Sequence, residues 1–282
     1  TYLKIGIVPW SDALNVGPYG QGKTPAGGTY GDGRKFVDNP ATDSYITPAS
    51  NIKYTTDPNA NDWLGCVIER DSTSALQDNS LLTNWQMYRY PKKCTRYNNN
   101  GTCKTWNPNG PPNRNCPTAP IMPMTNEQTT LQHVIDTLPT GGNTYSNLGM
   151  VWGWRVISPD FPFAEGAAYS DTTWAKTVIL MTDGDNTINN IYSGEGPYGT
   201  VGTSMTVADE NNKFLQICTN MKAKGIHIYT VTFQSAINAQ TKGYYRDCAS
   251  TPTMYYDAPS NADLETAFAA IAQELSHVHI VQ

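Results

Sequence analysis

Apolar positions along this chain come in short runs divided by long polar stretches. The first run, Lys4-Ile5-Gly6-Ile7-Val8-Pro9, is closed by proline and by the polar pair Ser11-Asp12, which predicts a short buried strand. From residue 11 to residue 125 periodicity is weak, and Gly, Pro, Asn, Tyr and Thr dominate. A structureless loop of that length does not suit a compact domain, so the stretch is expected to carry small strands or covalent staples.

Helical spacing returns at Glu127 to Leu138, where Leu131, Val134, Ile135 and Leu138 form a stripe that Pro139 and Gly141-Gly142 stop. Asn143-Thr144-Tyr145-Ser146 then opens a second helix to about Val156, with Leu148, Val151, Trp152 and Val156 on its buried side. Thr177 to Thr182 is almost wholly apolar and ends in Asp183-Gly184, the pattern of a strand buried on both faces. A helix around Val207 to Lys224, a strand at His227 to Phe233, a short helix near Gln240 to Cys248 and then the segment Met254-Tyr255-Tyr256-Asp257 come next. The last helix is capped by Ser260 or Asn261 and carries Leu264, Phe268, Ile271 and Leu275; Val278 to Val281 reads as a final strand. Strand and helix alternate, so the fold class is α/β with a mostly parallel, doubly wound sheet, because parallel neighbours need crossover helices. The chain accordingly divides into a core of residues 1–10 and 126–282 around a loop-rich insertion of residues 11–125.

Composition narrows the function. Only 15% of residues are charged and the formal net charge is −5, so the chain lacks the cationic surface that neutralises a nucleic-acid backbone. No run approaches the roughly 20 apolar residues of a membrane-spanning helix, and the opening decapeptide reads as a strand and not as a secretory leader. The six cysteines show no CxxC and no paired Cys/His spacing, which favours disulfides and an extracytoplasmic setting. Cys218 and Cys248 flank the ends of one strand and are paired with each other. Cys94 and Cys103 bracket a local loop, leaving Cys66 for Cys116, one choice among fifteen.

Two residues stand where α/β sheets place their ligands, at the carboxyl ends of strands. Asp183 follows a central apolar strand; its alternative reading is Asp-Gly turn chemistry. Thr144 lies between a glycine-rich turn and a helix; its alternative reading is an N-cap. His277-x-His279 places two imidazoles on one face of a strand, more simply a solvent-facing edge than a metal site. Asn100-Gly101-Thr102 fits the N-glycosylation pattern, and Trp63, Trp85 and Trp106 make either a recognition surface or the insertion's own core. Neither HExxH, GxSxG nor a phosphate-cradling glycine loop is found, so the chain reads as non-enzymatic.

Five strings in order carry a resemblance: KIGIVPWS at Lys4 to Ser11, Asn143-Thr144 before LGMVWGW at Leu148 to Trp154, VILMTDGDN at Val178 to Asn186, GIHIYTVTF at Gly225 to Phe233, and CASTPTMYYDAP at Cys248 to Pro259. They resemble the TadG-like Flp/Tad pilus-assembly proteins of bacteria, which carry a von Willebrand factor A domain. The resemblance implies a Rossmann-like domain tethered by an upstream membrane helix, in the periplasm or at the cell surface, with pilus or surface components as protein partners. It also implies a metal-ion-dependent adhesion site for Mg²⁺ or another divalent cation. Thr144 takes the place of that site's second-loop threonine and Asp183 of its third-loop aspartate, with Asp185 as a possible accessory. The family's Asp-x-Ser-x-Ser turn and the strand before it have no counterpart here; Asp71-Ser72-Thr73-Ser74 is the nearest string and has the wrong spacing. The expectation is that the opening strand lies apart from Thr177–Thr182, and that an upstream segment or another subunit fills the gap. Adhesion or pilus-linked assembly is the function implied; the alternative is a structural filament or scaffold subunit with a vestigial metal site.

Overall fold

The computed structural model describes residues 3–38, 45–47, 52–54, 65–69, 74–78, 84–87, 92–106, 116–187 and 206–277. Its strands are β1 (Ile5–Ile7), β2 (Leu14–Asn15), β3 (Val37–Asp38), β4 (Tyr45–Thr47), β5 (Ile52–Tyr54), β6 (Cys66–Ile68), β7 (Trp85–Met87), β8 (Lys92–Tyr97), β9 (Cys103–Trp106), β10 (Met122–Thr125), β11 (Thr177–Thr182), β12 (His227–Phe233) and β13 (Tyr255–Ala258). The helices are α1 (Gln128–Asp136), α2 (Ser146–Ile157), α3 (Val207–Ala223), α4 (Ala239–Cys248) and α5 (Asn261–His277).

The parallel sheet has three strands in the order β11-β12-β13, with Thr177 opposite His227 and Thr230 opposite Tyr255. Helices α3 and α4 are the crossovers that parallel pairing requires. Side chains alternate across this sheet. Val178, Leu180 and Ile228 join the cluster of Trp152, Phe214, Ile217, Met221 and Tyr245, so α2, α3 and α4 cover one face. Tyr229, Val231 and Ala258 pack with Ile271 of α5 on the other.

One mostly parallel, doubly wound sheet is therefore not what the described residues form. Among the described residues β1 pairs only with β10, antiparallel, in a separate two-stranded sheet, and the outer edge of β11 has no strand partner. Nor is β11 buried on both faces. Val178 and Leu180 are buried, while Ile179 and Met181 are 37% and 42% exposed. The cause is the reach of α5: it packs on β12 and β13, so the β11 part of that face is left open. Helix α2 bridges the two sheets. A Cβ at Gly153 would lie 3.6 Å from Val178 of β11, and one at Gly6 of β1 would overlap Val156 of α2 at 2.5 Å.

Two smaller expectations change in the same way. Helix α1 forms where its spacing places it, yet none of its residues is buried, and Ile135 is 55% exposed; among the described residues no other helix or strand packs closely on it. On α5 the buried row includes Ala267, and Phe268 is 40% exposed. Ser260 caps that helix, its Oγ accepting from Asp263 N at 3.3 Å while Asp263 accepts from Ser260 N at 3.1 Å. The expected strand at Val278 to Val281, and His279 with it, lies outside the described residues.

The stretch from residue 11 to 125 carries two four-stranded sheets, β2-β6-β7-β3 and β4-β5-β8-β9. The first is continuous with the main core: Leu14, Val16, Phe36, Val37, Val67 and Trp85 share one cluster with Trp152 and Val156 of α2. Trp85 stacks on Phe161 and meets Trp152 at 4.9 Å between ring centroids. Trp63 and the side chain of Trp106 lie outside the described residues. Cys66 is bridged to Cys116 and Cys218 to Cys248. Cys94 and Cys103 stand on the paired strands β8 and β9, and their side chains lie outside the described residues. No described helix is long and apolar enough to cross a membrane.

Candidate functional site

At the carboxyl end of β11 three loops meet, and polar side chains stitch them together. Residues 183–187 follow β11, residues 141–145 lead into α2, and residues 234–238 follow β12. The amide oxygen of Asn186 accepts from Ser146 N at 3.0 Å and from Ser146 Oγ at 2.7 Å, while its amide nitrogen donates to Asn211 at 2.8 Å. Thr187 binds the backbone of Thr144 twice: its Oγ1 accepts from Thr144 N at 3.2 Å and its own N–H donates to Thr144 O at 3.0 Å. These bonds hold the first two loops in register.

Thr144 and Asp183 are thus brought to the same rim. A Cβ on Gly184 would lie 3.1 Å from Thr144 Oγ1, so the threonine hydroxyl rests against the residue that follows Asp183. Among the described residues neither Thr144 Oγ1 nor the Asp183 carboxylate takes part in a hydrogen bond or ion pair. The N-cap alternative for Thr144 is not what the helix start shows: α2 begins after Tyr145 without a side-chain cap. Asp183 lies in a tight turn, in which Gly184 N donates to Thr182 Oγ1 at 3.3 Å, so turn chemistry and an exposed carboxylate coexist.

Asp185 is differently placed. Its two oxygens accept from Asn238 N at 3.2 Å and Asn238 Nδ2 at 2.6 Å, and Asn238 in turn caps α4 by accepting from Thr241 N at 2.8 Å. It ties the loop after β11 to the loop after β12. Beneath the rim the Tyr245 hydroxyl lies 2.5 Å from Ser146 Oγ. Burial pushes this phenol up to about 12, and the nearby Asp183 and Asp185 carboxylates push the same way, against the hydrogen bonds from Ser146 and Thr182. The floor of the site is a neutral hydroxyl pair.

Asn186, Thr187, Tyr245 and Asp12 were not singled out by sequence. Asp12 is fully buried and grips the Thr144 loop, its oxygens accepting from Asn143 N at 2.9 Å and Asn143 Nδ2 at 2.7 Å. The available sign was local: a polar pair, Ser11-Asp12, straight after an apolar strand, where ligand loops of such sheets begin.

The donor set suits a hard cation. A hydroxyl and one carboxylate are the oxygen ligands that Mg²⁺ prefers, and Mg²⁺ keeps several waters when few protein groups bind it. They do not make a full cage: no three His, Cys, Asp or Glu side chains converge among the described residues.

No protein-family model and no curated protein matches the chain. Among solved structures it is similar to the pilus adhesin SpaC of Lactobacillus rhamnosus GG, with 17% identity, a TM-score of 0.40, and coverage of 55% of this chain and 22% of that one. It is also similar to proximal thread matrix protein 1 of the mussel byssus, solved with a zinc-occupied MIDAS motif: 15% identity, TM-score 0.35, 66% of this chain and 34% of that one. A second crystal form of the mussel protein gives 14% identity and a TM-score of 0.34. The chain thus spans about a fifth to a third of these proteins' length. Likeness at these scores carries no functional weight.

Proposed function

We propose that this chain is a non-enzymatic, extracytoplasmic module of the TadG-like von Willebrand factor A kind, acting in adhesion or pilus-linked assembly. It engages an acidic group of a protein partner through a divalent cation held in part by Thr144 and Asp183. The observation that supports this most is the pair itself: a hydroxyl and a carboxylate, neither engaged by another described residue, on one rim at the carboxyl end of a parallel sheet. A cation bound there would present an electrophilic centre to an incoming carboxylate. Thr144 and Asp183 hold it, and the neutral Tyr245–Ser146 floor adds no competing charge. The described cystine bridges, Cys66–Cys116 and Cys218–Cys248, support a periplasmic or cell-surface setting.

A specific observation favours a second reading beside the first. The outer edge of β11 is an uncharged strand, Thr177-Val-Ile-Leu-Met-Thr182, without the lysine, proline or bulge that usually shields an edge. β1 is likewise paired on one side, with Ile5 41% exposed. α2 touches both strands, and a helix is about 10 Å wide, close to two strand spacings. We infer that one further strand, from an upstream segment or another subunit, completes the sheet and brings the remaining cation ligands. In the structural variant of this reading the cation site is vestigial and the chain is a filament or scaffold subunit.

Calorimetric titration of the complete polypeptide with Mg²⁺, Ca²⁺ and Mn²⁺ separates the two. Saturable binding that Asp183→Ala abolishes supports the adhesion module. Absence of binding, or binding indifferent to that substitution, leaves the scaffold reading.

A further inference from the structure

We infer that Asp12 is the positioning residue of the proposed cation site: its buried carboxylate fixes the loop that carries Thr144 and holds a negative charge beside the cation. The inference rests on the cation reading and adds to it a residue distant in sequence but in direct contact with the Thr144 loop.

The loop before Thr144 cannot set its own shape. Gly141 and Gly142 both have positive φ, +130° and +98°, a conformation glycine tolerates and other residues resist. Two successive glycines leave the backbone many alternatives unless something outside holds it. Asp12 does so from 131 positions away, one oxygen on Asn143 N at 2.9 Å and the other on Asn143 Nδ2 at 2.7 Å. The approach is close. A Cβ on Gly142 would fall 2.5 Å from Ser11 Cβ and 3.7 Å from Asp12 Oδ2, so the loop lies flat against the Ser11-Asp12 turn. Thr187 grips the backbone of Thr144 from the opposite side. The backbone that carries the hydroxyl is therefore held by two anchors one residue apart.

Positioning alone would not call for a carboxylate. Asp12 is 0% exposed and forms no ion pair among the described residues, where Arg155–Glu69, Lys213–Glu210 and Lys242–Asp257 are the pairs present. A buried charge held only by two N–H donors is expensive unless an opposite charge lies nearby. The next residue after its partner Asn143 is Thr144, so a cation on the threonine hydroxyl supplies that charge. Outer groups that orient metal ligands are often carboxylates.

The test uses Mn²⁺ on the complete polypeptide, with affinity from calorimetry and from the paramagnetic resonance of free Mn²⁺. Asp12→Asn removes the charge and turns an amide N–H toward Asn143; it is expected to weaken Mn²⁺ at least about tenfold. Asn143→Ala keeps the backbone bond and loses the side-chain one, so a smaller loss is expected. Combining Asp12→Asn with Asn143→Asp exchanges donor and acceptor and is expected to recover most of the affinity. Thermal unfolding in chelator and in Mn²⁺ supplies a readout that a merely structural role would not move. The Mn²⁺-induced rise in midpoint shrinks in Asp12→Asn if Asp12 serves the site, and is unchanged if it only holds the fold. Asp12→Asn binding Mn²⁺ as wild type does, or a swap that restores nothing, overturns the inference while the cation reading stands. Wild type that binds no Mn²⁺ overturns both. Should Asp12→Asn fail to fold, Asn143→Ala carries the test: wild-type affinity and wild-type Mn²⁺ shift in that variant overturn the clamp.

Discussion

Glu69 and Arg155 form a salt bridge of 2.6 Å from which water is shut out, the side chains being 1% and 0% exposed. The carboxylate also accepts from the indoles of Trp85 at 3.1 Å and Trp152 at 3.2 Å, and the guanidinium lies over both rings at 4.9 and 4.7 Å. This joins the β6–β7 region to α2, across 86 positions of chain. A buried pair survives because each charge has its partner and its hydrogen bonds; removing one strands the other. Arg155→Leu is expected to cost about 3–5 kcal/mol in urea unfolding. Glu69→Leu combined with Arg155→Leu is expected to cost less than Arg155→Leu alone, and a larger loss in the double variant would contradict this account.

The Cys218–Cys248 bridge closes a loop of 30 residues that holds α3, β12 and α4 together. By the chain-entropy argument such a loop restrains the unfolded chain by about 3 to 4 kcal/mol. Cys218→Ser with Cys248→Ser is expected to lose that much at equilibrium, measured by denaturant unfolding against wild type. A loss near zero would show that the α3–α4 packing needs no staple.

Glu165 gives a pH signature. Burial raises its carboxyl above the usual range, against the hydrogen bonds from Tyr30 OH at 2.7 Å and Met124 N at 3.1 Å. The folded state therefore holds this proton more tightly than the unfolded chain does. The associated stability is full below the unfolded value, about 4.3, and falls as pH rises through the raised folded value. Glu165→Gln cannot titrate, so the stability difference between variant and wild type is expected to move in the variant's favour as pH rises through that window. Unfolding curves at several pH values check the slope; a difference independent of pH refutes it.

The two faces of β11 should respond oppositely to substitution. Leu180 is 4% exposed in the core, and Leu180→Ala is expected to cost about 2–5 kcal/mol. Met181→Lys and Ile179→Lys, on the open face, are expected to leave thermal unfolding nearly unchanged and to reduce self-association of this chain in sedimentation velocity, because charge on an edge strand opposes edge-to-edge pairing. A lysine at 181 that unfolds the protein would mean this face is covered.

Gly184→Ala tests whether the rim is the binding position. Gly184 is not in the left-handed region, so alanine is tolerated by the backbone, but its methyl would stand 3.1 Å from Thr144 Oγ1. The expected outcome is a midpoint close to wild type in chelator and weaker Mn²⁺ binding by titration. Unaltered binding would place any cation elsewhere.

Much of the fold was legible in the chain itself. Apolar spacing of three and four, with proline, glycine and capping residues at the ends, located α1 to α5 within a residue or two, the apolar run Val178–Met181 located β11, and the β-branched and aromatic residues of His227–Phe233 located β12. Asp183 and Thr144 could be named because each sits at a junction that local sequence marks, a strand end and a glycine-rich helix entry. These signals work because helix and strand periods are properties of neighbouring residues.

Burial of those elements was another matter. The side-chain alternation of the strand that makes Val178 and Leu180 core residues leaves the equally apolar Ile179 and Met181 open, because α5 stops over β12 and β13. Asp12 on Asn143 and Glu69 on Arg155 link positions whose local contexts say nothing of one another. Spacing along the backbone therefore determined which segments coil or extend and which residues stand at their ends. Only packing in three dimensions decided which faces are covered, which charges are paired inside, and what holds the threonine loop, because those depend on segments that meet across tens to hundreds of positions and leave no period in the sequence.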